Sequence, residues 1–160
     1  MRLMALRDLN DMDILQVKAW LNKDYVKLWY DEPEEWLLEI QGRKTEFSWI
    51  HHMVAEEDGL PIGFCQYYDC YDAKDIEDWY DIETPNETFS IDYLIGEEDY
   101  LNKGKGKQIV ALLTQFIFDT EKAKRIIVKP ESENVQSNGV LLANGYCFDS
   151  DKKYYVKKFK

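Results

Sequence analysis

The sequence predicts an α/β domain built on a mixed, mostly antiparallel sheet flanked by helices. Three observations carry that prediction. Short β-prone runs recur from residues 2–6 to residues 153–159, with turn residues between them. Elsewhere the apolar residues repeat with a helical period, as in Ile109, Leu112, Leu113, Phe116 and Ile117, which read as one buried stripe. And the run 88–95 leads through that helix into the run 125–128, an order that calls for a parallel crossover.

Each element has a local reason. Residues 2–6 read as a first strand. Asn10 or Asp11 can cap a helix whose apolar residues are Ile14, Val17 and Leu21. A second short helix begins near Glu32-Pro33, with proline in its first turn and Trp36, Leu37 and Ile40 turned inward. Strands over 49–55 and 62–68 are joined through Glu56-Glu57-Asp58-Gly59, a hairpin signal. Residues 88–95 form a core strand, and a helix runs from about 106 to 119. Arg125-Ile126-Ile127-Val128 is a short buried strand. A helix after Asn134 stops at Asn144-Gly145, a left-handed cap. Strands 146–149 and 153–159 close the chain around Ser150-Asp151.

The totals narrow the class. At 160 residues, with no repeat or Ser/Pro linker, residues 1–160 read as one domain with a real core. Apolar residues make up 45%, which excludes a disordered chain. No apolar run approaches the roughly 20 residues of a membrane span, and the apolar part of the N-terminus is too short for a signal peptide. Cys65, Cys70 and Cys147 are odd in number and contain no Cys-x-x-Cys pair, so free thiols and a cytoplasmic location are expected. The formal charge of −11 argues against nucleic acid as a partner. It suits a cationic substrate, and it also suits solubility alone.

The most informative motif is Leu101-Asn102-Lys103-Gly104-Lys105-Gly106-Lys107, at the mouth of the 106–119 helix. Glycines let backbone approach a bulky anion, and a helix start offers unpaired N–H groups and a positive dipole end. That is a pyrophosphate cradle, although a Gly-Lys-Gly loop is often only a turn.

Strand, glycine loop, helix and strand, followed by Asn134-x-x-Ser137-x-x-Val140-Leu141-x-x-Asn144-Gly145-Tyr146, resemble the GCN5-related N-acetyltransferase (GNAT) superfamily over nearly the whole chain. That family's loop reads Gln/Arg-x-x-Gly-x-Gly/Ala; here Leu101 departs from it while Gly104 and Gly106 match. The resemblance is strongest to aminoglycoside 6′-N-acetyltransferases. Pro61-Ile62-Gly63-Phe64-x-Gln66-x-Tyr68, Trp79-Tyr80 and Ile91-Asp92-x-Leu94-Ile95-Gly96 fall in the same order as their motifs.

The resemblance implies acetyl-coenzyme A as co-substrate, no metal, and direct transfer to an amine. Positioning would then supply much of the rate. The coenzyme would lie on Lys103, Gly104, Lys105, Gly106, Lys107 and Gln108, with Leu94 and Ile95 of the core strand and Asn134 beside it. The 88–95 strand is expected to splay at its end. A freed backbone group near Tyr93 to Ile95 would meet the pantetheine or the thioester oxygen, where negative charge develops.

Asp92 is the catalytic candidate. An alkyl ammonium must lose a proton before it attacks, and a carboxylate beside the loop can take it. A mid-strand aspartate bonded to its own neighbours is the structural alternative. Many relatives place a general-acid tyrosine where this chain has Leu141, which reads as helix core. Lys129, before Pro130, stands where some drug-modifying relatives carry an aspartate, and would repel a polycation.

The acceptor side is assigned Trp29, Tyr30, Tyr68, Asp78, Trp79 and Asp92. Asp69, Asp72, Asp75, Glu77, Asp78, Asp81, Glu83 and Glu87 lie in one segment against a single Lys74, interleaved with aromatics. That mixture suits an aminosugar or a polyamine, and equally a solvated excursion. Glu34, Glu35 and Trp36 could form the opposite wall. His51 and His52 are adjacent on a strand, so they point to opposite faces and cannot readily share a metal. The reading is thus an N-acetyltransferase for a small cationic amine of aminoglycoside type, monomeric or homodimeric, acting without nucleic acid or membrane. A protein N-terminal or small-metabolite acetyltransferase is the alternative, and a non-catalytic acyl-coenzyme A-binding module is the alternative of another class.

Overall fold

The computed structural model describes residues 3–77 and 82–159. Seven strands form one sheet in the order β1-β2-β3-β4-β5-β7-β6. They are β1 Met4–Asp8, β2 Ile50–Glu57, β3 Leu60–Asp69, β4 Thr88–Ile95, β5 Arg125–Val128, β6 Cys147–Asp149 and β7 Tyr154–Lys158. The helices are α1 Ile14–Leu21, α2 Asp24–Lys27, α3 Pro33–Gln41, α4 Lys105–Glu121 and α5 Val135–Ala143. Every pairing is antiparallel except β4 with β5, the predicted crossover.

Strand alternation sorts the side chains into two layers. Val54, Phe64 and Leu94 face Val17, Trp20 and Leu21 of α1 and Leu37 and Ile40 of α3. Met53, Cys65, Tyr67, Phe89 and Ile91 face Ile109, Val110, Leu113 and Ile117 of α4 and Leu141 of α5. Asn10 caps the single 3-10 turn Asp11–Asp13 that leads into α1, while the N-cap of α1 itself, Asp13, makes no side-chain cap bond. Asn10 accepts the Met12 N–H and Asp13 accepts the Asn10 N–H, a reciprocal box around a short turn.

The buried stripe of α4 differs from the predicted one. Gly106, Ile109, Val110, Leu113, Thr114, Ile117 and Phe118 are buried, whereas Leu112 and Phe116 are 37% and 36% exposed. The helix is rotated because Thr114 belongs inside, where its hydroxyl pairs with Tyr146 Oη at 2.7 Å. A threonine reads as polar in a sequence, so the apolar pattern alone pointed one position away.

The site depends on the β4–β5 joint. These strands share only the pairs Thr88↔Arg125 and Phe89↔Ile126. Beyond Phe89, β4 continues to Ile95 paired with β3, and no further β5 pairing follows on its other edge. The parallel joint therefore opens into a gap. The far end of β4 is pinned by Gly96, where a Cβ would come within 2.0 Å of the Trp20 ring, so only glycine lets α1 lie this close.

Candidate functional site

Two cavities occupy the gap, one of about 480 Å³ and one of about 650 Å³. Both are lined by Trp29, Tyr30, Tyr93, Asn134 and Ser137, so they meet at these residues.

The larger cavity lies at the start of α4. Gly104 caps that helix with φ 74°, a left-handed conformation that favours glycine. The first helical bond there runs from Gln108 N–H to Gly104 O at 3.2 Å, so Lys105, Gly106 and Lys107 present the leading N–H groups of the helix. Gly104, Lys105, Gly106, Lys107, Leu94, Ile95 and Asn134 all line this cavity. Lys103 and Gln108 are exposed and lie beside the lining. Lys105 differs from the expectation in one respect. Its Nζ pairs with the buried Glu57, so its charge is engaged on the sheet side. The Asn134 side chain likewise caps α5 by accepting Ser137 N–H at 3.1 Å.

The edge of β4 in the gap is not bare. Tyr30 Oη donates to Tyr93 O at 2.8 Å and accepts Tyr93 N–H at 3.2 Å. Tyr25 Oη donates to Ile95 O at 2.8 Å. Tyrosines around α2 thus hold backbone groups that the sequence alone suggested would be free, because a backbone group left without water must find another partner.

The smaller cavity is aromatic and acidic. Trp29, Tyr30, Trp36, Trp49 and Tyr68 line it with Glu35, Glu39, Glu77, Asp92 and Glu131. Asp92 accepts Gln66 Nε2 at 3.0 Å. Burial pushes its carboxyl up to about 6; the Gln66 hydrogen bond opposes this and the Glu77 charge adds to it. Glu39 is pushed up to about 7, first by burial and then by the charges of Asp92, Glu77 and Glu35. Glu39 was missed in the sequence. A helical glutamate reads as solvated, and the available signal was Glu35 and Glu39 at i and i+4, flanking the inward Trp36.

Of the candidate acceptor residues, Trp29, Tyr30, Tyr68 and Asp92 come together here, while Asp78 and Trp79 lie outside the described residues. The acidic segment divides. Asp69 is buried and accepts Tyr71 N–H at 3.0 Å and Asn86 N–H at 2.6 Å, a structural role. Glu83 and Glu87 line a separate opening with Lys124 and Arg125, and Glu87 pairs with Lys124 at 2.8 Å. Asp72 and Asp75 are exposed. Among the described acids of 69–87, only Glu77 lines the acidic cavity. Asp69 ties the described ends of the excursion together through backbone N–H groups, and most of the described acids point elsewhere. Lys129 does line the cavity.

At the meeting point, Tyr93 Oη and Ser137 Oγ are 2.9 Å apart. Burial raises the Tyr93 pKa, so the phenol stays protonated. Leu141, one turn after Ser137, is fully buried in the core. His51 and His52 point to opposite faces, half exposed and buried respectively. Among the described residues, no group of three or more His, Cys, Asp or Glu is arranged to hold a metal, and no helix is long and apolar enough to cross a membrane.

Comparison with known proteins bears on this geometry. A family model described as an acetyltransferase (GNAT) domain matches residues 9–153. Aminoglycoside N(6′)-acetyltransferases type 1 of Klebsiella pneumoniae and Serratia marcescens are each 24% identical over 143 residues, covering 83% of this chain and 68% of theirs. The structure of aminoglycoside acetyltransferase AAC(6′)-Ib in complex with coenzyme A and kanamycin superposes with a TM-score of 0.80 at 23% identity, covering 98% of this chain and 95% of that one, which establishes a shared fold.

Proposed function

The chain belongs to the acetyltransferase (GNAT) family, and from that premise we propose that residues 1–160 act as one catalytic domain that moves an acetyl group from acetyl-coenzyme A directly onto a primary amine of a cationic, aminosugar-type acceptor. The observation that carries this is the meeting of two unlike cavities in the β4–β5 gap. One has the N–H groups of a helix start, and the other has carboxylates between aromatic walls. The substrates named with the relatives, coenzyme A and kanamycin, are of the kinds that suit such a pair.

In this reading the leading N–H groups at Lys105, Gly106 and Lys107 hold the pyrophosphate, with Lys103, Gly104 and Gln108 at the rim and Leu94, Ile95 and Asn134 along the pantetheine. The coenzyme supplies an activated thioester. Trp29, Tyr30 and Tyr68 hold the acceptor, and Asp92 takes a proton from its ammonium. The nitrogen lone pair then forms the C–N bond as the C–S bond breaks. Tyr93 and Ser137 share one hydrogen bond between two hydroxyls, which leaves one O–H to protonate the departing sulfur, and the surplus proton of the new amide nitrogen passes through solvent to restore that hydroxyl. Tyr93 thereby does from β4 what Leu141 cannot do from α5. The three free cysteines suit a reducing, cytoplasmic setting.

The test is thiol release and product mass with acetyl-coenzyme A and a panel of kanamycin, ribostamycin, putrescine and peptides with free N-termini. No release with any amine removes the proposal. Lys129 in the acidic cavity favours one second reading, a protein N-terminus with acidic residues next to its α-amine. Preference for such peptides over putrescine would bring that reading forward.

A further inference from the structure

Gln66 stands in the middle of a polar row that crosses three strands. The register pairs His52 of β2 with Gln66 of β3, and Gln66 with Asp92 of β4. Gln66 is only 3% exposed, yet it lines the acidic cavity. Its Nε2 donates to Asp92 Oδ2 at 3.0 Å, while its Oε1 is buried without a hydrogen-bond partner. A buried amide oxygen normally finds a donor, so an orphan at the wall of a cavity points to a ligand. The amide cannot be turned to relieve this, because its other end must donate to the carboxylate.

We propose that Gln66 and Asp92 form a two-point clamp on the acceptor nitrogen, Gln66 Oε1 accepting one N–H and the Asp92 carboxylate another. This rests on the acetyl-transfer reading and adds to it a binding and positioning residue. A primary ammonium has three hydrogens, so it satisfies both acceptors. When Asp92 removes one proton, Gln66 still holds a second N–H and keeps the lone pair in a fixed direction. A hydroxyl has a single hydrogen and leaves one acceptor unmet. The clamp therefore selects amines over alcohols. The Nε2 bond also favours the ionised form of Asp92, the form that can take a proton.

His52 is the competing donor. Both of its ring nitrogens are buried without partners, and burial pushes its pKa down to about 4, so it is neutral near pH 7 with one N–H to give. The experiment separates the two. Gln66→Met keeps the length and removes both polar atoms. Kanamycin and putrescine should then bind about tenfold more weakly, with coenzyme A affinity unchanged. The acid limb of kcat/KM should move to higher pH, because Asp92 loses a donor. Gln66→Glu, compared near pH 8, keeps an acceptor and removes the amide N–H; amine binding should persist while the limb moves the same way. Unchanged amine affinity in folded Gln66→Met overturns the clamp. So does a loss of stability with unchanged amine constants, which would show that Oε1 serves His52. Wild-type protein that binds amines through Gln66 but transfers nothing removes the acetyl-transfer reading and leaves the clamp. Transfer that survives in Gln66→Met at full affinity does the reverse.

Discussion

One hydroxyl, Tyr30 Oη, satisfies both backbone groups of Tyr93, donating to its carbonyl at 2.8 Å and accepting its N–H at 3.2 Å. The bond joins the loop after α2 to the open edge of β4. It also occupies the groups through which a pantetheine arm would pair with that strand. Tyr30→Phe should lower the stability of the free protein by about 1–3 kcal/mol, since two buried backbone groups lose their partner. The loss should be smaller with saturating coenzyme A, which would replace the missing partner. Equal losses with and without coenzyme, read from thermal melts, would show that these groups play no part in its binding.

The pH behaviour follows from Asp92 and Glu39. Their folded pKa values, about 6 and about 7, lie above the ordinary carboxyl range. A group raised in this way binds its proton more readily in the folded state. Its favourable contribution is present below the unfolded pKa of roughly 4 and fades as the pH rises to the folded value. Stability should therefore fall between about pH 4 and pH 7 from these two groups, while turnover rises through about pH 6 as Asp92 ionises. Glu39→Gln removes a charge that is present only above about pH 7, so it should stabilise the protein at pH 8 and leave the activity limb near pH 6 in place. Asp92→Asn should abolish that limb along with most turnover.

Leaving-group protonation separates Tyr93 from α5. Tyr93→Phe should reduce kcat by about a hundredfold, near the low end for a general acid because a thiolate is already a fair leaving group. Coenzyme affinity should stay near wild type, and Ser137→Ala should show a milder form of the same defect. Leu141→Tyr, by contrast, should destabilise the fold, because Leu141 is fully buried. A normal kcat in Tyr93→Phe would remove the phenol from the chemistry.

Gly104 carries the coenzyme prediction. At φ 74° a β-branched residue is strained, although no atom lies within 4 Å of a built Cβ. Gly104→Ala should therefore fold with a penalty of roughly 1–2 kcal/mol. Its Cβ should weaken coenzyme A binding, so the coenzyme-induced rise in melting temperature should shrink. A full rise would place the pyrophosphate elsewhere.

Salt should act on the acceptor and not on the reaction. Glu35, Glu39, Glu77, Asp92 and Glu131 share one cavity with Lys129. The KM for putrescine should rise with ionic strength, because exposed attraction is screened over roughly 8–10 Å at physiological salt. A flat KM would favour an acceptor held by its apolar parts.

Local signals made most of the fold legible. Pro33 marked the start of α3, Asp58-Gly59 the hairpin, and Gly145 the end of α5; each is a residue whose backbone preference acts within one turn. The parallel crossover was legible because strand, glycine loop, helix and strand leave few other topologies. The inward turn of Thr114 was not legible, since it depends on Tyr146, a residue distant in sequence. Glu39 stayed hidden for a similar reason. Its environment is set by Asp92 and Glu77 on other elements, and a helix read alone shows only a charged residue on its surface. The acidic run 69–87 left two readings open in the sequence, because composition shows charge but not direction, and among its described residues Asp69 directs its carboxylate to backbone N–H groups while Glu77 lines the acidic cavity.

The sheet is continuous through only two pairs between β4 and β5. A molecule threaded into the gap would act as a surrogate strand and complete the fabric that the polypeptide leaves unfinished. On the proposed reading that molecule is the acyl donor, so the protein would be sturdiest when its fuel is plentiful. Its lifetime against proteases would then track the metabolic state of the cell, with no regulator beyond mass action.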